Sequence, residues 1–327
     1  MRVAILGAGA WGTALACALA GRREVALWAR SPEQARQMRE ERVNPRYLPG
    51  VALPPSIVVT AELQQALRFA GGGLVALATP TAALRPTLQA LRADPDLPPI
   101  VWLCKGFERD SRMLPHEIVA DELPDSTAGP LSGPSFADEV ARGLPTALTV
   151  AGAPDFCAHV TRALHGDALR IYSTRDVIGV EVGGAVKNVM AIGTGIADAL
   201  GLGSNARAAL ITRGLAEITR LGVALGGRAE TFTGLTGVGD LILTCTGELS
   251  RNRRIGLELG HGTALTSALA GLGHVAEGVW SAPATAERAR QAGVDMPLTQ
   301  AVCAVLDGHL SPGAALERLL AREPRHE

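Results

Sequence analysis

Residues 3–20 read VAILGAGAWGTALACALA, and this stretch decides the fold. Val3–Leu6 is a short buried-strand run, a tight glycine turn follows, and small apolar residues then recur at helical spacing. Gly7, Gly9 and Gly12 make the pattern G-x-G-x-x-G in that context. Gly7 permits the turn, Gly9 lets the backbone approach a pyrophosphate, and Gly12 lets the helix sit close to the strand. The start of the helix adds unpaired N–H groups and the positive end of its dipole, which favour phosphate. A glycine triplet alone is weak in a chain with 38 glycines. Its position after a strand near the start of the chain, with a second strand EVALWAR (24–30) behind it, makes it a dinucleotide site. That second strand should end near Arg30. An Asp or Glu there would accept ribose hydroxyls, whereas Arg30 suits a 2′-phosphate. NADP(H) is therefore favoured, with NAD(H) as the alternative.

Working outward, buried-strand runs continue at SIVVT (56–60), LVALATP (74–80), IVWLCKG (100–106), TALTVAG (146–152) and ALRIYST (168–174), separated by helical or irregular stretches. After Asp176 the period-2 signal fades and small apolar residues recur at helical spacing. The expected fold is α/β: a Rossmann-like, doubly wound dinucleotide-binding domain over residues 1–177, followed by an all-helical substrate-binding domain over 178–327. A length of 327 residues suits two cores.

Bulk properties exclude several classes. With 31 basic against 32 acidic residues and only 3% aromatics, there is neither a field nor a stacking surface for nucleic acid. The five cysteines are odd in number, widely spaced and without C-x-x-C, against a disulfide framework or zinc knuckle, and no metal site is expected. The glycines and Trp11 interrupt what would otherwise imitate a signal peptide, and no run reaches the roughly 18 uninterrupted apolar residues of a span. A cytoplasmic chain without stable membrane insertion is expected.

Several polar residues sit where packing alone does not explain them. Lys105 follows a buried strand at the carboxyl edge of the sheet, where it either meets solvent or reaches a phosphate. Gly133, Pro134 and Ser135 can turn their backbone and hydroxyl toward a ligand, or Ser135 can cap the next helix. Lys187, beside Asn188 in the apolar run VKNVMAI (186–192), either snorkels to the surface or faces a cavity. In a cavity it could stabilise and protonate a ketone oxygen as hydride arrives. Asp240 either caps a helix or orients Lys187 or accepts from a substrate hydroxyl. Glu217, Arg213 and Arg220 have spacings that allow pairing along one helix. SRNRRIG (250–256) is either a solvated helix face or, with Ser250 as cap and Arg251 and Asn252 behind it, a holder for a compact phosphate.

Taken together, GAGAWGTALA, CKGFE, SGPSFA, GGAVKNVMAIGTG, NARAALITRGL, TFTGLTGVGDLILTC, SRNRRIG and VAEG, colinear from residue 7 to 278, resemble the bacterial-type NAD(P)-dependent glycerol-3-phosphate dehydrogenases. The resemblance implies reversible hydride transfer between NAD(P)H and dihydroxyacetone phosphate, giving sn-glycerol 3-phosphate for glycerophospholipid synthesis. It assigns proton transfer to Lys187. It also implies a substrate site of Lys105, Gly133, Ser135, Lys187, Asp240, Ser250, Arg251 and Asn252. Cofactor contacts would be Gly7, Gly9, Ala10, Trp11, Gly12, Arg30, Lys105, Ala137, Arg251, Val275 and Glu277. Glu277 reads by itself only as a loop acid. The expected partner is a small phosphorylated three-carbon substrate, and the expected assembly is a homodimer. The rivals are a hydroxyacid dehydrogenase with a carboxylate substrate, which SRNRR and the GPS turn disfavour, and a nucleotide sensor, which would not need Lys187 and Asp240.

Overall fold

The computed structural model describes residues 1–94, 96–272 and 276–321. Ten strands occur among them: β1 (Arg2–Leu6), β2 (Glu24–Trp28), β3 (Val43–Asn44), β4 (Leu48–Ala52), β5 (Val58–Thr60), β6 (Leu74–Leu77), β7 (Ile100–Trp102), β8 (Ala128–Ser132), β9 (Thr146–Ala151) and β10 (Leu169–Thr174). Eight of them form one sheet in the order β10-β9-β8-β7-β6-β1-β2-β5. From β5 to β8 every pairing is parallel. Chain order reverses between β1 and β6, the crevice where open parallel sheets bind ligands. The Gly7 turn follows β1 into that crevice.

Continuous apolar runs became these strands because both sheet faces are covered. Val3, Ile5 and Leu27 pack into one cluster and Ala4, Leu6 and Leu77 into another. Two features exceeded the sequence reading. The β3–β4 hairpin is short and separate from the main sheet, and β8, with the sequence AGPLS, carries little strand signal of its own. Its partner β9 runs antiparallel to it, while β10 is parallel to β9. The second strand ends at Trp28, two residues before Arg30.

All later elements are helical. Val177–Ala199 is the central helix, capped by Asp176, whose Oδ1 accepts from the Gly179 N–H at 2.9 Å. It is long and apolar enough to cross a bilayer by length and hydropathy alone, but 83% of that window is buried inside the protein. Its apolar faces are therefore core faces. Helix Gly203–Ala224 packs beside it. Glu217 on that helix does not pair along it with Arg213 or Arg220. Its buried carboxylate accepts the Leu298 and Thr299 N–H groups at the start of helix Pro297–Leu306, where the dipole favours negative charge.

Candidate active site

The central helix fixes the site through two adjacent glycines. A Cβ on Gly183 would stand 2.3 Å from the Thr236 carbonyl oxygen, and one on Gly184 would stand 2.9 Å from Ser132 Oγ and 3.5 Å from Lys105 Cγ. The helix thus presses simultaneously on the wide helical turn Leu235–Gly239 and on the sheet edge. Four positions after Gly183, and so on the same face, stands Lys187.

Lys187 is 6% exposed, which rules out snorkelling. Its Nζ donates to Asp240 Oδ1 at 2.5 Å and Thr244 Oγ1 at 2.9 Å. Asp240, 1% exposed, is the first residue of helix Asp240–Thr246 and not its cap, which is Gly239. Its second oxygen accepts from Lys105 Nζ at 2.7 Å, and that ammonium also donates to the Gly133 carbonyl at 3.1 Å. The loop after β7, the turn after β8 and two helices therefore converge on a buried Lys–Asp–Lys cluster. Lys105 does not simply emerge into solvent.

Two cations on one carboxylate leave a positive excess. Burial drives the Lys187 ammonium down to about 8 from 10.5; Asp240 opposes the shift and Lys105 adds to it. Burial pushes the Asp240 carboxyl up, but Lys105 and Lys187 together hold it below its ordinary 3.8. Lys187 is thus poised to exchange a proton near neutrality while Asp240 stays ionised.

Ser135 does not cap the next helix, Ala137–Ala141, which starts after Phe136 with no side-chain cap. Its hydroxyl donates instead to the Gly133 carbonyl at 3.1 Å, and Trp11 Nε1 donates to Ser135 Oγ at 3.2 Å. Trp11, in the first turn of helix Ala10–Leu19, thereby ties the glycine turn to the GPS turn. Ala137 opens its helix beside that junction. Gly133 holds φ +139°, where an L side chain is strained.

The basic run divides by function. Ser250 caps helix Arg251–Gly260, its Oγ accepting from the Arg253 N–H at 3.3 Å. Asn252 is buried, donating to Asn188 Oδ1 at 2.9 Å and accepting from the Gly278 N–H at 3.0 Å. Arg253 binds Asp198 Oδ2 through Nε at 2.9 Å and through its terminal nitrogen at 2.7 Å, so it is structural. Arg251 and Arg254 are exposed, and neither side chain forms a hydrogen bond or ion pair among the described residues. Arg251 is the one whose charge is felt at Glu277. Burial raises the Glu277 carboxyl to about 7 despite the field of Arg251, the Thr81 N–H and the fields of Lys105 and Lys187. Periodicity gave no sign of this glutamate. Thr244, one helical turn beyond Asp240, was also missed, and that i, i+4 spacing was its only signal.

The glycine turn is open at one glycine and close-packed at the other two. Gly7 adopts φ +121°. A Cβ on Gly12 would stand 2.0 Å from the Gly7 carbonyl oxygen, whereas one on Gly9 would meet nothing within 4 Å. Close packing at Gly12 and open space at Gly9 match the two roles expected of them. No side chain caps helix Ala10–Leu19, leaving its first N–H groups for an anion. Thr79 Oγ1, Thr81 Oγ1 and Ser132 Oγ are buried without hydrogen-bond partners. Thr79 N lies 3.1 Å from where a Gly7 Cβ would be, and Ser132 lies beside Gly184 next to Lys105. Orphaned polar atoms thus occur at both ends of the stretch between glycine turn and lysine cluster, and these residues fit a bound NAD(P). Arg30 is exposed beyond the end of β2. Val275 lies outside the described residues.

Comparison with known proteins covers both halves. The family model for the NAD-dependent glycerol-3-phosphate dehydrogenase N-terminus matches residues 2–157, and that for the C-terminus matches residues 176–317. The chain is 57% identical over 330 residues to the NAD(P)+ glycerol-3-phosphate dehydrogenase of Janthinobacterium sp., covering 100% of this chain and 99% of that one. It is 55% identical over 330 residues to the protein of the same name from Methylibium petroleiphilum, covering 100% and 98%. Among solved structures, glycerol-3-phosphate dehydrogenase from Coxiella burnetii superposes with a TM-score of 0.93 at 42% identity, over 98% of this chain and 99% of that one. With both halves matched and relatives of more than half identity along its whole length, the chain belongs to the NAD-dependent glycerol-3-phosphate dehydrogenase family.

Proposed function

We propose that the Lys105–Asp240–Lys187 cluster is the catalytic centre at which this chain carries out the reaction of its family. The chain is an NAD(P)-dependent oxidoreductase that interconverts dihydroxyacetone phosphate and sn-glycerol 3-phosphate and supplies glycerophospholipid synthesis. The carrying observation is the buried ammonium of Lys187, held 2.5 Å from an ionised aspartate at the crevice beside an open glycine turn.

When bound, the nicotinamide supplies the hydride for reduction and receives it in oxidation. Gly7, Gly9, Ala10, Trp11 and Gly12 would hold its pyrophosphate half, with Ala137, Arg251 and Glu277 lining the rest. Lys187 Nζ donates a proton to the substrate carbonyl oxygen as charge grows there, and takes it back in the reverse direction. Asp240 fixes the direction of Nζ, while Lys105 adds positive field and ties the centre to Gly133. Ser135 lines the same wall. The helix start at Ser250–Asn252 takes the substrate phosphate, with exposed Arg251 as its cation. Arg30, exposed past β2, supports a preference for NADPH over NADH.

The division of labour falls at residues 177 and 178. Its support is that β10 ends at Thr174 and the central helix starts at Val177. Five free cysteines support residence in the reducing cytoplasm. A homodimer is proposed from the family resemblance, and light scattering on the purified chain would test it. For the activity itself, NADPH oxidation should depend on added dihydroxyacetone phosphate. Oxidation that is absent, or equally supported by unphosphorylated oxoacids (the hydride-accepting partners of hydroxyacids), would sink the reading.

A further inference from the structure

The buried acid Glu181 stands outside the cluster described above, six positions before Lys187 on the central helix. It is 5% exposed, and both carboxylate oxygens point out of the helix into the sheet half. Oε1 accepts from Trp102 Nε1 at 2.9 Å and from the His116 backbone N–H at 2.9 Å, and Oε2 bonds to His116 Nδ1. Trp102 is the last residue of β7, three positions before Lys105. His116 lies in the first turn of helix Pro115–Glu122, so the carboxylate also completes an open helix start. A carboxyl group this deep is costly unless its oxygens are hydrogen-bonded, and apolar packing could hold two elements together at less cost. What an acid with three hydrogen-bonded contacts adds is register.

That register bears on catalysis. One turn beyond Glu181, Gly184 packs so closely that an added Cβ would stand 2.9 Å from Ser132 Oγ and 3.5 Å from Lys105 Cγ. Two stretches of chain thus lead away from a common tie. From Trp102 the chain leads to Lys105 Nζ on Asp240 Oδ2, and from Glu181 the helix leads to Lys187 Nζ on Asp240 Oδ1. We propose that Glu181 is a positioning residue for the reaction, locking the central helix to the end of β7 so that Lys187 and Lys105 arrive together on Asp240. It touches neither the substrate nor the cluster and acts only by setting where Lys187 stands relative to the nicotinamide-binding half. The inference rests on the catalytic reading above.

The test uses the whole chain and two mild substitutions. Trp102→Phe keeps an aromatic ring and removes the indole donor, and Glu181→Gln keeps shape and one acceptor while replacing the carboxyl oxygen that meets His116 Nδ1. Each should lower kcat for dihydroxyacetone phosphate about ten-fold or more, as small misplacements of reacting groups do. NADPH affinity by fluorescence titration and KM for the substrate should stay within about two-fold, since neither ligand's contacts are removed. The double variant should be little worse than the poorer single one, because both break the same tie. Variants with normal kcat but a lower melting temperature would make Glu181 a structural joint and overturn the proposal. So would a raised KM with kcat unchanged, or additive losses in the double variant. A wild-type chain without substrate-dependent NADPH oxidation fails the catalytic reading instead, which separates the two failures.

Discussion

Lys187 Nζ lies 2.5 Å from Asp240 Oδ1 across 53 positions of sequence, in a site where both are at least nine-tenths buried. Because Lys105 occupies the other oxygen of the same aspartate at 2.7 Å, one carboxylate serves two ammoniums. The cluster can therefore meet an oxyanion without first shedding a counter-ion.

The first prediction follows from the depressed ammonium. With Lys187 near about 8, the acid form needed to reduce the ketone is present below that pH. Reduction kcat/KM should hold steady at lower pH and fall as pH rises through about 8. Oxidation of sn-glycerol 3-phosphate needs the neutral amine and should rise through the same pH. Lys187→Ala should remove this titration and lower kcat by roughly 10²-fold, with NADPH titration nearly unchanged. Retained pH limbs in the variant would assign the titration to another group, with Glu277, held at about 7, the first to examine.

The glycine turn makes a paired prediction. Gly9→Ala should fold normally, since its added methyl meets no atom within 4 Å and its backbone, at φ −78° and ψ −174°, is open to alanine. The methyl would occupy ligand space and weaken NADPH by about ten-fold, or about 1.4 kcal/mol. Gly12→Ala places a methyl 2.0 Å from a backbone oxygen, and overpacking of this kind costs about 1–3 kcal/mol of stability. Melting curves and cofactor titrations should therefore rank the two variants in opposite orders. Equal cofactor loss without any change in melting would remove the packing role from Gly12.

Much of this was legible in the sequence. The strand–turn–helix at 3–20 and the later apolar runs gave the parallel sheet, because strands buried on both faces are written as continuous apolar runs. Lys187 and Asp240 were marked as misplaced polar residues, but each kept a plausible structural reading until the fold paired them. The Lys105–Asp240 bond spans 135 positions, beyond the reach of any periodicity. The β8 strand was missed because AGPLS lacks branched or aromatic residues and gains its strand form from pairing with β7 and β9. Glu277 carried no pattern at all: it is not a loop acid but opens helix Glu277–Gln291, and only its burial there makes its position unusual.

Cofactor choice is the third prediction. Arg30 is exposed beyond β2, free to meet a 2′-phosphate with a charge-assisted contact of roughly 1.5–3 kcal/mol. Arg30→Asp should shift the ratio of kcat/KM values toward NADH by about ten-fold or more. The shift should shrink at high salt because the contact is solvent-exposed. An unchanged ratio would place the 2′-phosphate elsewhere.

The last prediction concerns the basic run at 250–256. Of its three arginines, Arg253 is spent on Asp198, while Arg254 and Arg251 are exposed. Only Arg251 stands at the first position of the helix capped by Ser250 and acts on Glu277 across the site. A phosphate held there is remote from the reacting carbon, and its binding energy also aligns that carbon. Arg251→Ala should therefore raise KM and lower kcat together, at about 2–5 kcal/mol in kcat/KM for dihydroxyacetone phosphate. Arg254→Ala, a turn further from the helix start and not among the charges that act on Glu277, should change little. Unphosphorylated dihydroxyacetone, poor from the start, should lose much less than the phosphate ester in the Arg251 variant. Equal fractional losses for the two substrates would show that Arg251 serves the cofactor or the fold, and that the phosphate is held by other groups.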